Sequence, residues 1–217
     1  MCDTLVWSFD AITGLPWLEL VKAFAAAVTP IIAFVALQNW RRQDKAKREA
    51  EFLDQLTEET HAFIAGMSVP ATLVEASKIG MHAHIPTWEG GDQSVRGAIL
   101  YIEKRGTDHA KLLMESLALV QLSMVRLRSL VAKGQVFKFQ GYQKCQDAVA
   151  MLTWQFDRSQ ALMAFIASPH WNWENTQVLE QLKRIMEIDA DDIRKHLAQH
   201  NVAIIEFAAT AYGRIYG

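Results

Sequence analysis

Residues 17–48 read WLELVKAFAAAVTPIIAFVALQNWRRQDKAKR, and the reading of this stretch decides the architecture. The 18 residues from Ala23 to Trp40 carry no charge. A helix rises about 1.5 Å per residue, so Trp17 and Trp40 stand roughly 35 Å apart, close to a bilayer's hydrocarbon thickness plus its margins. Tryptophan favours the two interfaces of such a span. Glu19 and Lys22 lengthen it by reaching outward to water. Pro30 removes one helix hydrogen bond, which membrane helices tolerate where neighbouring groups take up the freed carbonyl.

The flanks give the span a direction. Arg41, Arg42, Lys45, Lys47 and Arg48 follow it against Asp44 alone, while Asp3, Asp10 and Glu19 precede or enter it against Lys22. The positive-inside rule then predicts a single-pass inner-membrane protein, with its N-terminus outside and residues 41–217 in the cytoplasm. The same five cations suit an anionic lipid surface. A cleaved signal peptide would carry its cations before the apolar run and a small-residue cleavage site after it. A core helix of a soluble protein is the other alternative. The expected organisation is a short external segment over 1–16, a transmembrane helix over 17–40, a juxtamembrane helix over 41–66 and a helical bundle over 67–217.

Composition fits an anchored domain rather than a nucleic-acid binder. Hydrophobic residues make up 51% of the 217, and the formal charge is −2. Beyond the cationic cluster the chain is net acidic, so it lacks a general nucleic-acid footprint. The two cysteines, Cys2 and Cys145, fall on opposite sides of the membrane in this topology, and Cys145 reads as a small core hydrophobe. So few thiols allow no zinc spacing. No metal, cofactor or small-molecule substrate is expected.

Helical periods run through nearly the whole chain, giving an all-α expectation. Leu53, Leu56, Phe63, Ile64 and Met67 continue an apolar stripe to a stop at Gly66 and Pro70. A short helix is expected over about 71–80 and a loop over 81–94. A long helix over about 94–132 carries Leu113, Leu117, Val120, Met124, Leu127 and Val131 in a heptad-like seam, with Gly97 and Gly106 weakening its first half. Val136–Phe139 is the one stretch with a strand-like alternation. Helices are then expected near 142–167 and 174–187. A last helix runs from an Asp189 N-cap, with Asp192 as its box partner, to about Tyr212.

That last helix holds the candidate chemistry. Ile193, Leu197, Ile204, Phe207, Ala208 and Ala211 mark its apolar face, and at about 100° per residue His200 falls within it. A polar ring there needs a partner. Arg194 stands six residues earlier and about 120° round the helix. Together they suit a phosphate, with arginine as a fork and histidine as general acid or base. The alternative is a core histidine beside a solvated arginine. His196 and His200 have metal-sharing spacing but no third ligand nearby in sequence. His82 and His84 read as a solvated pair, and Trp171 and Trp173 as staples against the bundle or a partner-binding knob. In the span, Ala25, Thr29, Ala33 and Ala36 share a face within about 80°, with Lys22 on the same side. Small residues so spaced let membrane helices approach closely, which suits a homo-oligomer, in one form a ring.

With its N-terminal span, basic juxtamembrane helix, all-helical cytoplasmic part and late Arg-x(4–6)-His at Arg194 and His200, the chain resembles the small membrane accessory proteins of type VI-B RNA-targeting CRISPR systems. Lys195 stands where that motif carries Asn, Asp or His. The resemblance implies a divergent HEPN-like domain and assembly into a ring-shaped pore that enhances antiviral defence by depolarising the membrane. It also implies an RNA-guided effector or RNA as partner. The expected function is therefore a pore-forming membrane effector. A membrane-tethered HEPN-like ribonuclease and a non-catalytic scaffold are the alternatives.

Overall fold

The computed structural model describes residues 16–84 and 92–217. The expected external segment therefore lies, but for Pro16, outside the described residues, as does the centre of the loop expected over 81–94. The chain divides into two units at Glu49/Ala50. Every element among the described residues is helical. They are α1 (Pro16–Gly66), α2 (Ser68–Ala83), α3 (Gln93–Tyr101), a π turn (Ile102–Gly106) and α4 (Thr107–Gly134). A 3₁₀ turn (Gln135–Phe137), α5 (Tyr142–Ile166), α6 (Thr176–Met186) and α7 (Ala190–Tyr216) follow.

Within the first unit, α1 exposes apolar side chains all round, Phe24, Ile31, Ile32, Phe34 and Leu37 among them. It is long and apolar enough to cross a membrane, and none of its apolar window is buried. Thr29 Oγ1 donates to the Ala25 carbonyl at 2.7 Å, which satisfies the hydroxyl inside the helix itself. Asp44 pairs with Arg48 at 2.8 Å and Glu49 with Lys45 at 3.6 Å, both at i, i+4 spacing.

The second unit, from Ala50, is a packed helical body. Leu53, Leu56, Thr60 and Phe63 of α1 and Met67 just beyond it are buried, in steps of three and four, with Phe52 beside them. All six residues of the expected α4 seam are buried, as are Cys145, Val149, Leu152, Phe156 and Ile166 of α5. α5 packs against both α4 and α7, while α2 packs on α3, α4 and α7. Burial pushes the Cys145 thiol up to about 12, so it behaves as a hydrophobe at neutral pH.

Two details depart from the sequence expectation. The long helix over 94–132 is broken by the π turn, which ends at Gly106. A Cβ there would lie 2.3 Å from the Ile166 carbonyl oxygen, so only glycine lets this segment meet the end of α5 so closely. The alternation at Val136–Phe139 forms no strand. The 3₁₀ turn and Lys138 in a left-handed conformation (φ 54°) instead turn Phe137 and Phe139 onto one aromatic cluster. Phe52 lies 5.1 Å from Phe137 and 5.7 Å from Phe139, and Phe207 lies 5.7 Å from Phe139. Packing on this cluster, rather than pairing with a strand, uses the alternate aromatics. Tyr142 closes it, donating to the Val131 carbonyl at 2.7 Å across Gly134.

Candidate functional site

The N-terminus of α7 is built as expected from Asp189. Its carboxylate accepts from the Asp191 amide at 2.8 Å and the Asp192 amide at 3.3 Å, satisfying two of the helix's free donors. Lys78 of α2 donates to the same carboxylate. That ammonium, helped by the amides, holds the Asp189 carboxyl below its ordinary value of 3.8 against the opposing effect of burial. Asp192 does not close a capping box by any contact among the described residues. Its carboxylate lies 3.5 Å from Arg158 of α5 and 3.9 Å from His196.

Beside this cap, a cleft of about 590 Å³ lies between α2 and the start of α7, lined by Glu75, Lys78, His82, Asp189 and Asp191 with Ile79, Ala83 and Ala190. Arg194 borders it. Its guanidinium donates to Glu75 at 2.6 Å and to Asp191 at 2.9 Å. These charge-assisted bonds tie α2 to α7 and occupy the fork that a phosphate would use. A phosphate entering here would have to displace two carboxylates.

His200 lies on the buried side of α7, half-buried, with its ring stacked on that of His196 at 5.8 Å and 7°. Burial, and then the neighbouring His196, lower its pKa below 6.5, so the neutral ring is favoured. Among the described residues no hydrogen bond or ion pair joins it to Arg194. The fold thus sets the arginine into an acidic surface network and the histidine into an imidazole stack. His196 Nδ1 is buried without a hydrogen-bond partner among the described residues.

The other candidates fall as follows. Lys22, Ala25, Thr29, Ala33 and Ala36 are exposed, and so are Arg41, Arg42, Lys45, Lys47 and Arg48. His82 and His84 stand at the end of α2 rather than in a loop, and His84 Nδ1 lies 2.7 Å from the Gly80 carbonyl. Trp171 stacks on Phe165 at 5.3 Å and donates to its carbonyl at 2.9 Å, and Trp173 packs against the core. Sequence reasoning missed Glu75, Lys78 and Arg158 as partners of α7. Arg194 and Glu75 are 119 positions apart, and no local pattern announces such a pair. Compared with protein-family profiles, with curated proteins and with solved structures, the chain matches none.

Proposed function

We propose that this protein is a single-span membrane effector that assembles with copies of itself and perturbs the bilayer in antiviral defence. The observation that carries the membrane part is the unburied apolar window of α1. A core helix hides its apolar surface, whereas here Leu20, Val21, Phe24, Ile31, Ile32, Phe34, Val35 and Leu37 are all exposed. At about 1.5–3 kcal/mol per large apolar side chain, leaving them in water would cost on the order of 10–20 kcal/mol. A bilayer removes that cost. The cations from Arg41 to Arg48 then keep residues 41–217 on the cytoplasmic side of the inner membrane.

The assembly part is supported by the lack of bulk along Ala25, Thr29, Ala33 and Ala36, whose one hydroxyl is satisfied within the helix and needs no partner. Lys22 on the same side would ring the outer mouth of a passage with cations. The defence role, the HEPN-like character of the body and an RNA-guided effector as partner rest on the resemblance to the type VI-B accessory proteins. For the ribonuclease alternative, Arg194 must first leave Glu75 and Asp191.

The test has two arms. A reporter fused after Gly217 is expected to be active in the cytoplasm, and periplasmic activity would overturn the topology. The variant Ala25→Leu/Ala33→Leu is expected to insert in the membrane but to lose oligomerisation or dye-reported depolarisation. If it keeps both, the span is a plain anchor and the scaffold alternative takes over.

A further inference from the structure

From Ser116 to Gln146 the chain holds Arg126, Arg128, Lys133, Lys138 and Lys144 and no acid. Arg126 pairs with Glu59 and Arg128 with Asp157. Lys133, Lys138 and Lys144, in and beside the turn that joins α4 to α5, are exposed, and among the described residues they make no ion pair. At the tip of that turn Val136 is 79% exposed, more than any large apolar side chain described in the window of α1. The turn sets Phe137 and Phe139 on the aromatic cluster and leaves Val136 facing out.

The turn lies where α1 enters the body, since Phe52 packs on both Phe137 and Phe139. A second tip flanks the same point. Tyr212 of α7 donates to Asp54 and, at 3.4 Å, to the Ala50 carbonyl. Tyr216, 73% exposed, stacks on Tyr212 at 6.3 Å, with the exposed Arg214 close by in sequence. The acids of this end are Glu51, Asp54 and Asp147. Asp54 accepts from Tyr212 and Asp147 from Gln143, the latter at 2.8 Å, and none lies in the turn itself. α1 is one helix from Pro16 to Gly66, so Ala50 is about 15 Å from Trp40 however the body is turned. An apolar tip between lysines suits an anionic leaflet, which offers phosphates to the lysines and an apolar boundary to the valine. A nucleic acid would take the lysines but leave Val136 in water.

We propose that the turn between α4 and α5 docks the body on the anionic cytoplasmic leaflet, with Lys138 and Lys144 on lipid phosphates, Val136 among the headgroups and Tyr216 at the same surface. The proposal rests on the membrane reading of α1. It adds a second contact, made by the body rather than by the cations from Arg41 to Arg48. It holds every copy in one orientation, because each docks through the end at which its own α1 enters. The reach of the lysine side chains and the tilt usual for membrane helices close the distance left between Trp40 and Ala50. The placement of the body then depends on anionic lipid, each cation at the surface favouring the contact about fivefold.

The experiment uses the full chain carrying Cys2→Ser, with the buried Cys145 retained, in nanodiscs of phosphatidylcholine with or without phosphatidylglycerol. A bimane label is placed on Val136→Cys, and on Leu119→Cys as an exposed reference about 25 Å back along α4. The quencher is a lipid with a nitroxide on its headgroup. Quenching at residue 136 is expected to exceed that at residue 119 in the anionic discs. It should fall about threefold without phosphatidylglycerol, and equally in Lys138→Asn/Lys144→Gln with its thermal melt unchanged. Equal quenching at the two positions, or quenching at 136 that ignores both changes, would overturn the proposal. So would a 136–136 disulfide on oxidation of the unlabelled Val136→Cys chain, which would give this end to a second copy. A label on Phe34→Cys, read with a quencher on the lipid chain, separates the two readings. If residue 34 is quenched and residue 136 does not respond, only the docking fails. If residue 34 is not quenched, the membrane reading falls and this one with it.

Discussion

The two ends of α1 place similar side chains in opposite surroundings. Between Trp17 and Trp40 the apolar residues come without period, and all those described but Val28, which is half-covered, are exposed. From Leu53 to Met67 the buried positions 53, 56, 60, 63 and 67 come in steps of three and four, apolar but for Thr60. Composition alone does not separate the two halves. Periodicity does: a stripe faces a partner within the chain, while an apolar helix with no polar face needs apolar surroundings on every side, whether protein or lipid.

The strongest way to break the comparison is to remove bulk at matched positions. Leu56→Ala in the buried stripe should cost about 2–5 kcal/mol, since the vacated space cannot fully collapse. In a body of this size that lowers Tm by about 10 °C. Ile32→Ala in the exposed stretch should leave the melting of the body unchanged. Thermal unfolding of both variants checks this, and equal shifts would mean that residue 32 is also packed.

A second substitution sharpens what burial means in the body. Gly134→Ala places a Cβ 1.9 Å from the Tyr142 hydroxyl, so the tyrosine must move and its bond to Val131 must break. The expected loss is about 1–3 kcal/mol. Gly213→Ala, near the end of α7, meets nothing within 4 Å and should be neutral or slightly stabilising. Chemical denaturation midpoints of the two variants measure the difference.

How much of this was legible from residues alone follows from the same contrast. The apolar window, the α4 seam and the Asp189 cap are local patterns: the structure places the window on one helix and leaves it unburied, and it places the seam and the cap as read. The π turn was not legible, because it depends on the Ile166 carbonyl meeting Gly106, 60 positions away. The turn at Val136–Phe139 mimics strand alternation because both Phe137 and Phe139 reach the same aromatic cluster. Arg194 and His200 were legible as residues but not as neighbours of Glu75 and His196, since helix geometry fixes a direction and not what stands there.

A smaller effect is expected where α2 is tied to α7. Asp189→Ala removes the cap and the partner of Lys78, and should cost about 1 kcal/mol. Its pH dependence has a definite sign. The folded-state carboxyl titrates below its ordinary 3.8, so its contribution is complete above that value and is lost as pH falls through the lower folded value. The Tm gap between wild type and variant should therefore be constant near neutrality and close in acid below about pH 4. A gap that does not narrow at all as the pH is lowered from neutrality into acid would mean that the charge of Asp189 is not what holds this end.

The smallest effect belongs to His200, and it separates a ring in a packed face from one in a reactive site. Its folded-state pKa lies below 6.5, chiefly through burial. The unfolded chain therefore binds the proton more readily, and stability falls as pH drops from above 6.5 towards the folded value. His200→Gln keeps a polar side chain of similar reach and removes the titration. It should melt within about 2 °C of wild type at pH 8 and lose less stability on acidification to pH 5.5. Arg194→Ala, which breaks surface pairs to Glu75 and Asp191, should leave that pH slope unchanged, because no hydrogen bond or ion pair among the described residues joins Arg194 to the imidazole stack. If Arg194→Ala alters the slope as His200→Gln does, the two residues are coupled despite lying in separate networks. Thermal melts of the three proteins between pH 5.5 and 8 decide between a packed imidazole and a linked pair.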